Sequence, residues 1–142
     1  MRPRIAIGLL IGCAALASAC TSASPSASAS ASGTTVAATL KEYSIQLSST
    51  DVAAGAVTFN VTNSGTMTHE FVVLKTDTKA ADLPLTNGVV NEDDYTSMGE
   101  VADLEPTKTG SMSANLAAGH YVIICNLPGH VVAGMVADFT VH

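Results

Sequence analysis

Apolar residues occupy every second position in four segments of this 142-residue chain, and this period limits the possible folds more than any other feature. The four segments span residues 43–47, 57–61, 112–116 and 135–141. Successive side chains of a β-strand point to opposite faces, so a period of two indicates strands with one buried face. Two further segments, residues 71–74 and 121–124, are apolar throughout and indicate central strands that are covered on both faces.

Turn-forming sequences separate these segments at Ala54-Gly55, Asn63-Ser64-Gly65, Ala118-Gly119 and Pro128-Gly129. Short strands at this spacing predict an all-β fold, a β-sandwich with one core. Residues 76–105 are different, because they are acidic and have no sustained period. They predict one long acidic loop that contains a short strand and a helical turn near residues 91–98.

Residues 1–19 have the pattern of an export signal. Arg2 and Arg4 precede an apolar stretch, and Ala17-Ser18-Ala19 supplies the small residues that a signal peptidase needs. We therefore expect the protein to leave the cytoplasm and to act in the periplasm or on the outer face of the cell membrane.

Cys20 follows this signal directly and resembles the lipid-modified cysteine of a bacterial lipoprotein. Residues 20–33 are rich in Ser and Ala, which predicts a flexible tether ahead of a folded domain at residues 34–142. The lipid would attach the protein to the membrane. Two alternatives stay open, namely lipidation at Cys13 and simple secretion after Ala19.

The charge of the chain disfavours one class of partner. Both arginines lie in the export signal, so its removal leaves four lysines against twelve acidic residues, a formal net charge of −8. Nucleic-acid binding normally requires a basic face, and we expect none here. A basic protein partner and a merely soluble surface are both compatible with this charge.

Three metal-binding side chains share one predicted connection between strands. Cys125, the only cysteine of the predicted domain, ends one strand, and His130 and Met135 follow within ten residues. His69 begins another central strand, so the four side chains meet if these strand ends lie at one pole of the sandwich. One thiolate, two imidazoles and a weak thioether suit copper in both oxidation states, whereas structural zinc sites usually have more thiolates.

The segment from Tyr121 to Met135 resembles the copper loop of cupredoxins, the small blue copper proteins. Its Cys-x4-His-x4-Met spacing is similar to that of rusticyanin-like members rather than plastocyanin. The segment from Asn63 to Phe71 resembles the one that bears their first histidine ligand, and the resemblance covers about residues 35–142. It implies a Greek-key β-sandwich that holds one copper ion through the strong ligands His69, Cys125 and His130 and the weak axial ligand Met135.

The resemblance also implies roles for neighbouring residues. His130 would be the electron port at the centre of an apolar patch formed by Leu127, Pro128, Val131 and Val132. Backbone amides near Cys125 would donate hydrogen bonds to its sulfur, and Asn126 and Glu70 would tune the site. Many family members have Asn or Ser in place of Glu70, so Glu70 either makes the equivalent hydrogen bonds or faces solvent.

The function implied by the resemblance is single-electron transfer by a monomer to a redox protein that the sequence does not identify. We expect no enzymatic activity, because similar domains in copper enzymes need His-x-His pairs and the four histidines of this chain form none. Delivery of copper to another copper protein outside the cytoplasm stays open as an alternative function.

Overall fold

The computed structural model describes residues 33–142, so the predicted signal and the predicted lipid site at Cys20 lie outside the described residues. The strands are β1 (Thr34–Lys41), β2 (Ser44–Leu47), β3 (Asp51–Val52), β4 (Gly55–Asn63), β5 (His69–Lys75), β6 (Leu85–Thr86), β7 (Val89–Val90), β8 (Thr96–Leu104), β9 (Thr109–Leu116), β10 (Gly119–Ile124) and β11 (Val136–Val141). Two short 3-10 turns span Ala80–Asp82 and Glu92–Asp94. Within residues 33–142, no helix is long and apolar enough to cross a membrane.

Two sheets enclose the core. One has the strand order β2-β1-β4-β9 and the other has the order β3-β11-β10-β5-β8, while β6 and β7 form a separate hairpin. Two pairs, β1 with β4 and β3 with β11, are parallel, and the remaining neighbours are antiparallel. The predicted all-β sandwich is confirmed.

The period of two in β4 places one row of side chains in the core. Val57, Phe59 and Val61 are completely buried. The Phe59 ring contacts the rings of Phe71 and Phe139 from the opposite sheet, with both centroid separations at 5.3 Å. Such aromatic contacts stabilise the packing of the two sheets beyond the burial of area alone.

The central strands β5 and β10 are buried on their outer face as well, as their apolar sequences predict. The residues between β5 and β8, together with part of the turn after β10, cover this face. The resulting second cluster contains Val72, Leu74, Ala80, Leu83, Val90, Val122, Ile124 and Val131. The acidic segment therefore covers the outer face of β5, which begins at His69, and of β10, which ends just before Cys125.

The acidic segment also contains β8, a nine-residue strand that the sequence pattern did not reveal. This strand lies at the edge of its sheet, antiparallel to β5, with two irregularities in register. Most of its residues are exposed and Gly99 interrupts it, so the period of two is lost. The sequence pattern also placed Tyr43 in a strand with one buried face, but Tyr43 lies in the turn between β1 and β2 and is 41% exposed.

Candidate metal centre

Three predicted ligands meet at one pole of the sandwich. The pairing of β10 with β5 brings the end of one strand, which precedes Cys125, beside the start of the other, where His69 lies. Nδ1 of His130 is 3.3 Å from Nδ1 of His69 and 3.2 Å from Sγ of Cys125. Sγ of Cys125 is 3.9 Å from Nδ1 of His69. All three residues are buried, and their donor atoms lie within 4.8 Å of one another.

Backbone hydrogen bonds close the loop that carries Cys125 and His130. The N–H of Cys125 donates to the carbonyl of Met135 at 3.1 Å, and the N–H of Met135 donates to the carbonyl of His130 at 3.0 Å. Gly129 and Gly134 have φ values of +85° and +101°, which residues with a side chain rarely adopt. These turns bring Met135 back to Cys125, where its side chain is completely buried in the same core cluster. Its role as the axial ligand stays a prediction.

A buried asparagine holds the loop that precedes His69. The side-chain amide of Asn63 donates to the carbonyls of Met67 and Leu104 at 2.8 and 2.7 Å. Its Oδ1 accepts the N–H of Gly65 at 2.9 Å. Buried polar groups of this kind are costly to leave without partners, so Asn63 fixes the path of the chain toward His69.

The sulfur of Cys125 lies in a buried environment with few compensating groups. It accepts a hydrogen bond from the backbone N–H of Glu70 at 3.3 Å, which confirms the predicted amide contact to the sulfur. Burial raises the pKa of the Cys125 thiol, and the amides of Glu70 and Leu127 oppose this rise. Burial likewise lowers the pKa of His69, with the neighbouring His130 adding to the effect. Both groups therefore favour their neutral forms before a metal binds.

Glu70 and Asn126 connect the ligand-bearing segments. Glu70 is half-buried, and burial raises the pKa of its carboxyl group, while the backbone N–H of Asn126 opposes this rise. The tuning role of Glu70 stays a prediction. The side chain of Asn126 donates to the carbonyl of Val90 at 2.9 Å and to Oε1 of Glu92 at 2.8 Å, and it accepts the N–H of Val90 at 2.7 Å.

The predicted apolar patch is present in part. Val132 is 64% exposed, Pro128 is exposed and Leu127 is half-buried. The prediction was wrong for Val131, which is buried and belongs to the second cluster under the acidic segment. Within the turn that follows His130, Val131 faces inward, whereas Val132, Ala133 and Gly134 are all exposed.

The turn between β1 and β2 adds residues that the sequence analysis missed. The ring of Tyr43 packs edge-on against His130 at a centroid distance of 5.2 Å, and its hydroxyl lies 3.9 Å from Sδ of the exposed Met67. The carboxylate of Glu42 accepts the N–H groups of Thr66 and Met67. Hydrogen bonds from its own backbone amide and from Thr66 lower the pKa of Glu42 to about 2. No sequence motif indicates these contacts, because the turn is far from the ligands along the chain.

The residues present fit a copper ion. A buried thiol and two imidazole nitrogens already face one another, and the completely buried Nε2 of His69 has no hydrogen-bond partner within the described part of the chain. A bound copper ion would supply reversible one-electron chemistry. The chain would supply the thiolate of Cys125, the Nδ1 atoms of His69 and His130, and a preformed backbone around them.

Fold and donor set together define the mononuclear copper centre of a small β-sandwich protein. Residues 12–137 match the family described as the cupredoxin-like domain, and the chain belongs to this family. Copper is accordingly the cofactor indicated for the His69, Cys125 and His130 cluster. No curated protein matched the chain in sequence.

Several solved structures share the fold. Rusticyanin from Thiobacillus ferrooxidans is similar with a TM-score of 0.58 and 18% identity, covering 78% of this chain and 77% of that chain. Auracyanin A, a "blue" copper protein from the green thermophilic photosynthetic bacterium Chloroflexus aurantiacus, has a TM-score of 0.58 and 22% identity, with coverage of 78% and 99%. Auracyanin from the photosynthetic bacterium Roseiflexus castenholzii has a TM-score of 0.54 and 17% identity, with coverage of 78% and 96%.

Metal binding should release about one proton from Cys125. The raised pKa keeps this thiol protonated in the metal-free protein, whereas the metal requires the thiolate. At pH 8 we therefore expect about one proton to leave per copper(II) bound, and the affinity to rise about tenfold per pH unit below the thiol pKa. Calorimetry in buffers of different ionisation enthalpy measures this number. Zero protons, or the same release from a Cys125→Ser variant, would contradict the assignment of Cys125 as a ligand.

Proposed function

We propose that this protein is an exported mononuclear blue copper protein that carries single electrons between redox partners. The observation that supports the proposal most strongly is the convergence of buried His69, Cys125 and His130 donors in a cupredoxin-like sandwich. Met135 completes the proposed ligand set as a weak axial thioether. We propose no catalytic role.

The restrained surroundings of the ligands favour electron transfer. Asn63 fixes the approach to His69, the amide of Glu70 holds the sulfur of Cys125, and backbone hydrogen bonds close the loop from Cys125 to Met135. Ligands held in this way change position little when the oxidation state of the metal changes. Electron exchange is then fast, because little structural rearrangement accompanies it.

The exposed apolar residues around His130 favour a docking role for this pole. Val132, Tyr43 and Met67 are exposed, and the Tyr43 ring contacts the imidazole of His130. A redox protein that docks an apolar face here would approach the metal through His130. We propose such a partner without identifying it, and we propose that the carrier itself is a monomer.

The location of the protein is a further part of the proposal. The export signal at residues 1–19 and the cysteine that follows it support a place outside the cytoplasm, with lipid attachment at Cys20. A tether of Ser and Ala residues would allow the domain to reach partners near the membrane surface.

Repeated reduction and reoxidation of the copper-loaded protein tests electron carriage. We expect ascorbate to bleach the visible band, ferricyanide to restore it fully, and the copper content to stay at one per chain while a copper(I) chelator is present. Line broadening in NMR spectra of mixed oxidation states measures electron self-exchange, and the zinc-loaded protein is the redox-inactive control. Transfer of copper to the chelator at the first reduction would contradict the carrier function and favour copper delivery.

A further inference from the structure

One buried nitrogen in the site has no hydrogen-bond partner among the described residues. It is Nε2 of His69, whose side chain is completely inaccessible to solvent. Nδ1 of the same ring faces the other donors, 3.3 Å from Nδ1 of His130. If Nδ1 binds the metal, Nε2 must carry the proton of the neutral imidazole, and a buried N–H needs an acceptor.

A carboxylate lies beside this nitrogen. Oε1 of Glu42 is 3.5 Å from Nε2 of His69, slightly longer than a hydrogen bond. The same oxygen accepts the N–H groups of Thr66 and Met67, the latter at 2.8 Å, and is 3.3 Å from the hydroxyl of Thr66. The turn between β1 and β2 thus holds a carboxylate against the outer edge of a candidate ligand ring.

The chain is shaped to admit this carboxylate. A Cβ atom built on Gly65 would lie 2.5 Å from Oε1 and 2.8 Å from Oε2 of Glu42. Any side chain at position 65 would therefore push the Glu42 carboxylate away from the loop that precedes His69. The glycine is needed here for close approach.

We propose that Glu42 is a positioning residue for the copper site. Its carboxylate accepts a hydrogen bond from the Nε2 proton of His69, fixes the ring with Nδ1 toward the metal, and lowers the reduction potential. This inference rests on the proposed blue copper function and deepens it. It assigns a ligand-tuning role to a residue of the β1–β2 turn, which contributes none of the ligands.

The physical basis is the effect of an acceptor on a ligand imidazole. A carboxylate that accepts the outer N–H makes the inner nitrogen a stronger donor, and partners of this kind contribute about 10- to 100-fold to metal affinity. Copper(II) benefits more than copper(I) because it carries the greater charge. The closure required is small, since the gap of 3.5 Å exceeds a hydrogen bond of ordinary length by about 0.5 Å.

Two variants test the proposal in the full copper-loaded protein. Glu42→Gln keeps an oxygen for the amides of Thr66 and Met67 but removes the negative charge that strengthens the acceptor. Gly65→Ala keeps the charge and displaces it from the ring. Glu100→Gln is the charge-matched control, because Glu100 is an exposed carboxylate on β8.

For Glu42→Gln we expect copper(II) affinity to fall about tenfold, copper(I) affinity to change little, and the potential to rise by the corresponding ~59 mV. Gly65→Ala should shift the potential in the same direction, and Glu100→Gln should shift it clearly less. Equal shifts for Glu42→Gln and Glu100→Gln would overturn the proposal, because they would reflect charge alone. An unchanged potential in Glu42→Gln would overturn it as well. Glu42 would then serve only to hold the loop at Thr66 and Met67 through its hydrogen bonds.

A measurement on the unmodified protein keeps the proposal testable if a variant fails to fold. In the copper(I) form with 15N-labelled histidine, the Nε2 proton of His69 should give a downfield, slowly exchanging NMR signal. Absence of that signal in a blue, redox-active protein overturns the inference alone. A protein that forms no thiolate–copper band contradicts the proposed function, and the inference falls with it.

Discussion

Replacing Cys125 with serine should abolish the intense visible absorption of the copper(II) protein. That absorption arises from charge transfer between a thiolate and copper(II), and Cys125 is the free thiol that the structure places beside His69 and His130. A serine hydroxyl is a poor ligand for copper at neutral pH, so the remaining imidazoles would hold the ion weakly. We expect essentially complete loss of the band and a wide copper hyperfine splitting in the EPR spectrum in place of a narrow one.

The chain provides a matched control for this prediction. Cys20→Ser makes the same chemical change outside the proposed ligand set, and the variant should keep the full band. Circular dichroism should show that both variants retain the β-sheet spectrum, since Cys125→Ser removes no large side chain from the core. An unchanged band in Cys125→Ser would exclude a blue copper site in this cluster.

The period of two accounts for most of the fold. It predicted β4, β9 and β11 because each has one buried and one exposed face, and the apolar segments predicted β5 and β10 because both of their faces are buried. It did not reveal β8, because an edge strand with mostly exposed residues has no hydrophobic alternation to detect. Pairing with β5, rather than burial of its own side chains, holds that strand in the sheet.

The candidate ligands were predictable for a different reason. Cys125, His130 and Met135 share one loop, so their spacing along the chain carries the pattern of the site. Glu42 and Tyr43 reach the same site from the β1–β2 turn, and only the packing of that turn against the ligands brings them there. Contacts made by tertiary packing between distant segments leave no local pattern in a single sequence.

Replacing Asn63 with alanine should cause the largest loss of stability among single changes near the site. The side chain of Asn63 satisfies two carbonyls and one amide, and it is completely buried. Each buried polar group left without its partner costs about 1–3 kcal/mol, so we expect a loss of about 3 kcal/mol in the free energy of unfolding. Urea denaturation of the metal-free protein measures this loss as a lower midpoint at an unchanged slope.

Two further variants separate the hydrogen bonds of Asn63 from other effects of the substitution. Asn60→Ala removes an exposed asparagine from the same strand, so its effect should stay within about 0.5 kcal/mol. Asn63→Asp keeps the oxygen that accepts the N–H of Gly65 but turns a second oxygen toward the carbonyls of Met67 and Leu104. It should destabilise the protein at least as much as alanine does, because an acceptor then faces two acceptors. A stable Asn63→Asp variant would show that these two donated hydrogen bonds do not hold the loop before His69.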